Sequence, residues 1–262
     1  MATGKISQQS RAASIDDFDT EEEDDESGMS LVDHLEELRW RIFKSLIAIA
    51  VGAIVAFIFR DYIVHFLSYP LPKSADALAG GKPIVTGITE GFTVFLMLSI
   101  AVGFILALPV VLYQTWAFIA PGLLEKEKKY AVPFIFVGLI LFAAGVTLGY
   151  IVLRYPVEWL VTFAANSFTE LVTAGSYFTF VAFFLLAFGI VFELPLVLTF
   201  LAQIDIISSR TLVKKRAASH VGLWIASTFL TPGADIYSPI FLGVAMSCLY
   251  ELSIIFIKII KK

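Results

Sequence analysis

Long apolar stretches dominate the pattern of hydrophobic and polar positions along this chain. Six of them follow one another at residues 42–59, 92–113, 131–153, 177–203, 217–231 and 239–257. Each is apolar on all sides rather than alternating with a period of two, which favours helices over the strands of a membrane barrel. We therefore predict an all-α integral membrane protein with six transmembrane helices.

The last three stretches predict departures from a straight, full-length span. Pro195 lies inside the fourth stretch, and a proline there removes a backbone donor and clashes with the preceding turn, so we predict a kink. The fifth stretch has fifteen residues, which form only about 22 Å of helix against a hydrocarbon core of roughly 30 Å. We predict short spans five and six, with span five thinning the bilayer or lying behind neighbouring helices.

The composition agrees with a membrane protein and sets one acidic segment apart. Hydrophobic residues make up 58% of the chain, whereas soluble domains have about 45–50%. Nine of the eleven residues from Asp16 to Glu26 are acidic. We predict that residues 1–29 form a disordered acidic tail, without the features of a signal peptide, ahead of a membrane domain at 30–262. For the tail we favour an inert segment over one that shields basic loops.

Lysine and arginine set the predicted orientation, because cytoplasmic loops carry an excess of both. If the N-terminus is cytoplasmic, that side holds thirteen of these bases, not counting the two in residues 1–29, and the opposite side holds four. The four are Arg60, Lys73, Lys82 and Arg154. We therefore predict both termini in the cytoplasm, with loops 60–91 and 154–176 on the outer side and a short helix in the second loop.

The segment SLVDHLEELRWR, residues 30–41, predicts a helix that starts ahead of the first span. Ser30 and Asp33 fit a capping box, and apolar residues recur at helical spacing. The helix should run from about Leu31 to Phe59, so its first turns project from the bilayer. Glu37 and Arg41 are four residues apart and can pair on its surface.

Ionisable residues inside a span are costly, so each of them is a functional hypothesis. Glu193 lies near the middle of the fourth span, and we interpret it as a carboxylate that faces a wet cavity. The alternative is a protonated group hydrogen-bonded to a neighbouring helix. Glu251, in the sixth span, fits a structural hydrogen bond as well as it fits a function. Asp235 fits a cap for that span.

Metal, disulfide and enzyme chemistry find no supporting pattern in the sequence. Cys248 is the only cysteine, and the three histidines show no ligand spacing. The chain has no phosphate-binding P-loop motif and no HExxH motif. We predict no metal, no cofactor, no nucleic-acid partner and no enzymatic activity.

Four motifs occur in order on this topology. They are HLEELRWR (34–41), WAFIAPGLLEKEKK (116–129), FELP (192–195) and LTPGAD (230–235). Over residues 30–262 the chain closely resembles the TatC family, the polytopic subunit of the twin-arginine protein translocase. The resemblance implies a receptor for signal peptides that carry two arginines. It would work with single-span partners of the TatA and TatB type.

The resemblance implies a setting as well as a role. Receptor and partners would export folded proteins across the cytoplasmic (inner) membrane of a prokaryote, driven by the proton-motive force. The receptor is expected to self-associate within its complex. The alternative function is a proton-coupled transporter of small solutes with Glu193 as the proton carrier, which would need a pocket of convergent polar groups.

The resemblance also assigns roles to individual residues. Those implied in signal-peptide binding are Glu37, Glu127, Phe118, Glu125 and Arg39. Those implied in partner contact are Glu193, Pro195 and Gln203, and those in the outer loops are Pro70 and Asp235. Carboxylates suit a twin-arginine ligand because a guanidinium stays charged and forms directional, charge-assisted hydrogen bonds with them.

Overall fold

The structure, a computed structural model, describes residues 31–72, 82–122, 128, 131–163, 171–233 and 235–260. The predicted acidic tail, residues 1–29, lies outside this part of the chain. By its internal contacts the chain divides into residues 1–36 and 37–262, and only the start of one helix is described in the first unit. The description below concerns the second unit unless stated.

Regular structure in the described residues consists of helices, apart from one isolated bridge between Ile84 and Thr173. The helices are α1 (Leu31–Ile58), α2 (Arg60–Leu67), α3 (Glu90–Ile119), α4 (Ala131–Val152), α5 (Arg154–Thr162), α6 (Ala174–Val191), α7 (Leu194–Gln203), α8 (Ser209–Lys214), α9 (Arg216–Leu230) and α10 (Tyr237–Ile260). Every predicted span coincides with one of these helices or with the pair α6 and α7. The all-α prediction is confirmed, as is the short helix in the second outer loop.

Five helical stretches among the described residues are long and apolar enough to cross a membrane. Helix α9 is not one of them because it has only 15 residues, as predicted for span five. The prediction of a short sixth span is wrong, since α10 has 24 residues. Its apolar run stops at Lys258, but helical hydrogen bonding continues past that lysine to Ile260. A count of six crossings stays a prediction.

The fourth span is broken, as its proline predicts. Helix α6 ends at Val191 and α7 begins at Leu194, with Pro195 in its first turn. A proline is tolerated in a first turn because its missing N–H would have no helical partner there. Glu193 therefore lies at the junction of two helices rather than in the middle of one.

Helix α1 packs against the rest of the unit much less than the other long helices do. Only 6% of its most apolar window is buried, against 50% for the windows of the fourth span and of α10. Its close contact with α3 lies at Gly52 and Gly103, where a Cβ on Gly52 would lie 2.6 Å from the Gly103 carbonyl oxygen. Two glycines allow this approach of the helix backbones.

The two ends of the helices differ in the hydrogen bonds that join one helix to another. Helices α1 and α3 are antiparallel, so Glu37 lies near the end of α3, and Glu90 lies at the opposite end. We call these the Glu37 end and the Glu90 end. At the Glu90 end, Tyr150 Oη donates to the Phe66 carbonyl at 2.8 Å, and Tyr177 Oη donates to the Leu67 carbonyl at 2.6 Å. These tyrosines tie α2 to α4 and α6.

Candidate functional site

At the Glu37 end, the carboxylate of Glu37 holds a guanidinium between two helices. Arg41 Nε donates to Glu37 Oε1 at 2.8 Å, and Arg41 Nη2 also reaches that oxygen. Arg41 Nη1 donates to Gln114 Oε1 of α3 at 3.4 Å. The side chains of Arg41 and Glu37 are only 21% and 19% exposed. The predicted pair is therefore confirmed, and its partial burial distinguishes it from a surface ion pair, which contributes little.

The other residues implied in signal-peptide binding differ from one another in exposure and in position. Phe118 is half-buried and follows Gln114 by about one turn on α3. Arg39 is exposed, and its position two residues after Glu37 directs it to another side of α1. Glu125 and Glu127 lie outside the described residues. The structure thus brings Glu37 close to the C-terminal turns of α3 that lead into the segment of these two glutamates.

Glu193 is a buried carboxyl group without a hydrogen bond to any described residue. Both of its oxygens are inaccessible to solvent. A Cβ built on Gly138 would lie 3.2 Å from Glu193 Oε2, and 3.0 and 3.2 Å from side-chain atoms of Leu112 and Leu196. The carboxyl group therefore lies against Gly138 of α4, near apolar side chains of α3 and α7. An unpartnered polar group in such surroundings costs free energy, which makes this position a candidate functional site.

Trp116 presents a second buried polar atom without a described partner, and sequence reasoning assigned it no role. The residue is 8% exposed, and its indole Nε1 has no hydrogen-bond acceptor. Its ring packs against Phe134 and Phe200, with ring centroids 5.4 and 5.2 Å away. These three residues lie about one helical turn from the neighbours of Glu193 on α3, α4 and α7. The feature of the sequence that could have pointed to this position is the indole N–H of Trp116 inside the WAFIAP motif.

A groove of about 270 Å³ lies next to the residues that surround Glu193 and Trp116. Its lining is apolar and comes from α4, α7 and α10: Pro133, Phe134, Val137, Leu141, Pro195, Leu196, Thr199, Phe256 and Ile260. Pro195 is thus placed beside Glu193 and in the groove wall. Gln203, the last residue of α7, is half-buried and does not line the groove.

The two outer-loop residues lie at the Glu90 end, and Asp235 has a clear structural role. Its Oδ1 accepts a hydrogen bond from the Ser238 backbone N–H at 2.6 Å, which confirms the predicted cap of the last helix. Its Oδ2 is buried with no described partner. Gly233, two residues earlier, has a φ of 113°, a conformation that a side chain would strain. Pro70 is half-buried in the wall of a separate pocket.

A further charged cluster joins α9 to α10. Arg216 Nε donates to Glu251 Oε1 at 2.5 Å, and His220 Nε2 lies 2.8 Å from the same oxygen. His220 Nδ1 lies 3.2 Å from Ser247 Oγ. The Glu251 carboxylate raises the pKa of the Arg216 guanidinium above its usual value. The structural alternative for Glu251 is therefore the one that the structure supports. No group of three or more possible metal ligands occurs among the described residues.

The fold and these sites define a polytopic helical membrane protein with a half-buried carboxylate–guanidinium pair at one end and a carboxyl group without a described partner in a broken span. The family model described as "Sec-independent protein translocase protein (TatC)" matches residues 33–244. The chain belongs to the TatC family. Members of this family are components of a protein translocase and are not enzymes.

Individual relatives agree with this assignment. The chain is 38% identical over 234 residues to the Sec-independent protein translocase protein TatC of Carboxydothermus hydrogenoformans, covering 89% of this chain and 94% of that one. It is 35% identical to TatC of Escherichia coli, covering 88% and 89%. A crystal structure of the twin-arginine translocase receptor TatC superimposes with a TM-score of 0.74 at 32% identity, covering 87% of this chain and 100% of that one.

Proposed function

We propose that this chain is the receptor that binds twin-arginine signal peptides with Glu37 and the segment around Glu125 and Glu127. The chain is a member of a translocase family rather than a solute transporter, and the proposal concerns which residues do the work. The observation that carries it is the half-buried Glu37 carboxylate, which already holds a guanidinium in a directional geometry. Phe118 would offer an adjoining apolar contact.

The energetics of this site are modest and fit a reversible receptor. A partly solvated carboxylate–guanidinium pair contributes about 1 kcal/mol. Two such pairs and the burial of a signal peptide's apolar segment would give roughly −8 kcal/mol, which corresponds to micromolar binding. An ammonium group cannot reproduce the bidentate fork of a guanidinium, so lysine should replace arginine poorly in the ligand.

We also propose that Glu193 and the adjoining groove receive a single-span partner helix of the TatA or TatB type. The groove offers apolar contact, and Glu193 offers the polar group that a helix in lipid would need in order to satisfy a polar side chain of its own. Pro195 shapes this surface, and Gln203 would lie at its edge. Both termini would face the cytoplasm of a prokaryotic cell, and the receptor would self-associate in its complex.

Binding of a synthetic signal peptide to purified full-length protein in lipid nanodiscs tests the receptor site. We expect Glu37→Gln to weaken binding of a twin-arginine peptide about fivefold, the loss expected for a pair that contributes about 1 kcal/mol. The matched control is Glu36→Gln, which makes the same change at an exposed neighbour. Equal affinities for the two variants would contradict the proposal.

A further inference from the structure

Arg41 lies where the arginine of a ligand would have to lie. Two of its guanidinium nitrogens reach Glu37 Oε1, and the third donates to Gln114 Oε1 on α3. All three nitrogens are therefore engaged, and the guanidinium is fixed between α1 and α3. The Glu37 carboxylate is therefore already paired with a cation when no ligand is bound.

Partial burial gives this contact more weight than its spacing along the helix alone would suggest. An exposed pair four residues apart contributes only a few tenths of a kcal/mol. Here about four-fifths of each side chain is withdrawn from solvent. A carboxylate in that position is costly when it has no cation, so Arg41 stabilises the empty site. Since Glu37 Oε2 is also buried, we expect a ligand arginine to reach the carboxylate by displacing Arg41.

We propose that Arg41 is an internal mimic of the signal-peptide arginine, which occupies Glu37 in the empty receptor and must be displaced on binding. This inference rests on the proposed role of Glu37. Gln114 is a positioning residue for this pair because its Oε1 accepts a hydrogen bond from Arg41 Nη1 and so links the pair to α3. Loss of the Arg41 contact then offsets part of the free energy that the ligand gains from Glu37, which keeps affinity moderate and exchange reversible.

The same competition sets a threshold that every cationic ligand has to meet. Displacement of Arg41 subtracts the same free energy from the binding of an arginine or a lysine ligand, so it weakens both by the same factor. A lysine ligand, whose ammonium group cannot form the fork of a guanidinium, starts from the weaker contact and is the first to lose detectable binding.

The test compares twin-arginine and twin-lysine signal peptides on the full-length protein in nanodiscs. Arg41→Gln should tighten twin-arginine binding by about fivefold, as expected when a competing partly solvated pair is removed. It should tighten twin-lysine binding by a similar factor, because displacement of Arg41 subtracts the same free energy from the binding of both peptides. Gln114→Leu should act in the same direction with a smaller change. Lys44→Gln, the control, removes an equal charge from an exposed position of α1 and should tighten the binding of both peptides much less than Arg41→Gln does.

The Glu37→Gln background separates failure of this inference from failure of the receptor site. If Arg41→Gln changes affinity equally with and without Glu37, Arg41 is not its competitor, and the inference is overturned while the receptor site stands. If Glu37→Gln does not weaken peptide binding, the receptor site and the mimic are both overturned.

Carbodiimide labelling of Glu37 without peptide, read by mass spectrometry, examines the resting contact itself. Arg41→Gln should increase the labelling of Glu37 several-fold, and Arg41→Lys should increase it less because a cation remains. Unchanged labelling in Arg41→Gln would overturn the inference. Comparison of the unfolding temperatures of these variants with that of the parent protein shows that the fold is intact.

Discussion

Two carboxyl groups in this molecule, those of Glu90 and Glu193, differ in their hydrogen bonding. Glu90 accepts four hydrogen bonds, from the backbone N–H and hydroxyl of Thr86 and from the backbone N–H groups of Gly87 and Gly175. Glu193 accepts none from the described residues. Both residues begin or interrupt an apolar helix, so hydropathy does not distinguish them.

The difference separates a structural carboxylate from one kept available. Glu90 ties the loop before α3 to the first turn of α6, where the Ile84–Thr173 bridge also joins them. Its bonding capacity is used within the chain. Glu193 is held among apolar side chains at a helix break with its capacity unused, which is expensive unless another molecule uses it. The hydrogen bonds of Glu90 hold its end of the molecule together, and the Glu193 region is the one that we propose for association with a partner helix.

The largest effect on folding is expected for Glu90→Ala. The substitution leaves backbone N–H donors from two segments without their acceptor and uncouples the loop from α6, so the protein should unfold several degrees lower. Thermal unfolding in detergent measures this. The control, Glu158→Ala, removes an exposed carboxylate at the same end and should leave the unfolding temperature nearly unchanged. Equal shifts for the two variants would contradict the structural role of Glu90.

The opposite sign is expected for Glu193→Leu. Removal of an unpartnered buried carboxyl group should leave stability unchanged or raise it by about 1–2 kcal/mol. Association with a single-span partner and export of a folded reporter should nevertheless be abolished. Thermal unfolding, co-purification with the partner and an export assay measure the three quantities. A strongly destabilised Glu193→Leu protein would show that the carboxyl group has an internal partner after all.

The sequence predicts those features that depend on neighbouring residues. Pro195 predicts the break in the fourth span, Asp235 predicts a cap, and the spacing of Glu37 and Arg41 predicts their pair. These interactions reach no further than about one helical turn, so propensity and periodicity describe them.

Features that join distant segments could not be predicted in this way. The contact of Arg41 with Gln114 spans 73 residues, and the bond of Glu90 with Gly175 spans 85. Arg216 and Glu251 were each visible as charges, but their pairing depends on how α9 packs against α10. Helix α10 extends past Lys258 to Ile260, beyond the end of the apolar run that predicts a shorter span. Tertiary packing decides each of these cases.

Asp235 provides an intermediate case between Glu90 and Glu193, because one of its oxygens is bonded and the other is not. Asp235→Ala removes the cap of α10 and should cost about 1 kcal/mol of stability. Asp235→Asn keeps an acceptor for Ser238 and should cost much less. Thermal unfolding compares the two. If export falls equally in both variants, the second oxygen rather than the cap is what export needs.

The smallest effect on stability and the sharpest test of the comparison come from Trp116→Phe. The substitution removes the unpartnered indole N–H and keeps an aromatic ring against Phe134 and Phe200, so stability should change by no more than about 1 kcal/mol. If the indole N–H of Trp116 serves a partner helix together with Glu193, less of that partner should co-purify with the variant even though its stability is nearly unchanged. Trp159→Phe, which makes the same change at the Glu90 end, should leave it unaltered. A partner yield that is equal in both variants would restrict the association site to Glu193, because the second buried donor would then serve packing alone.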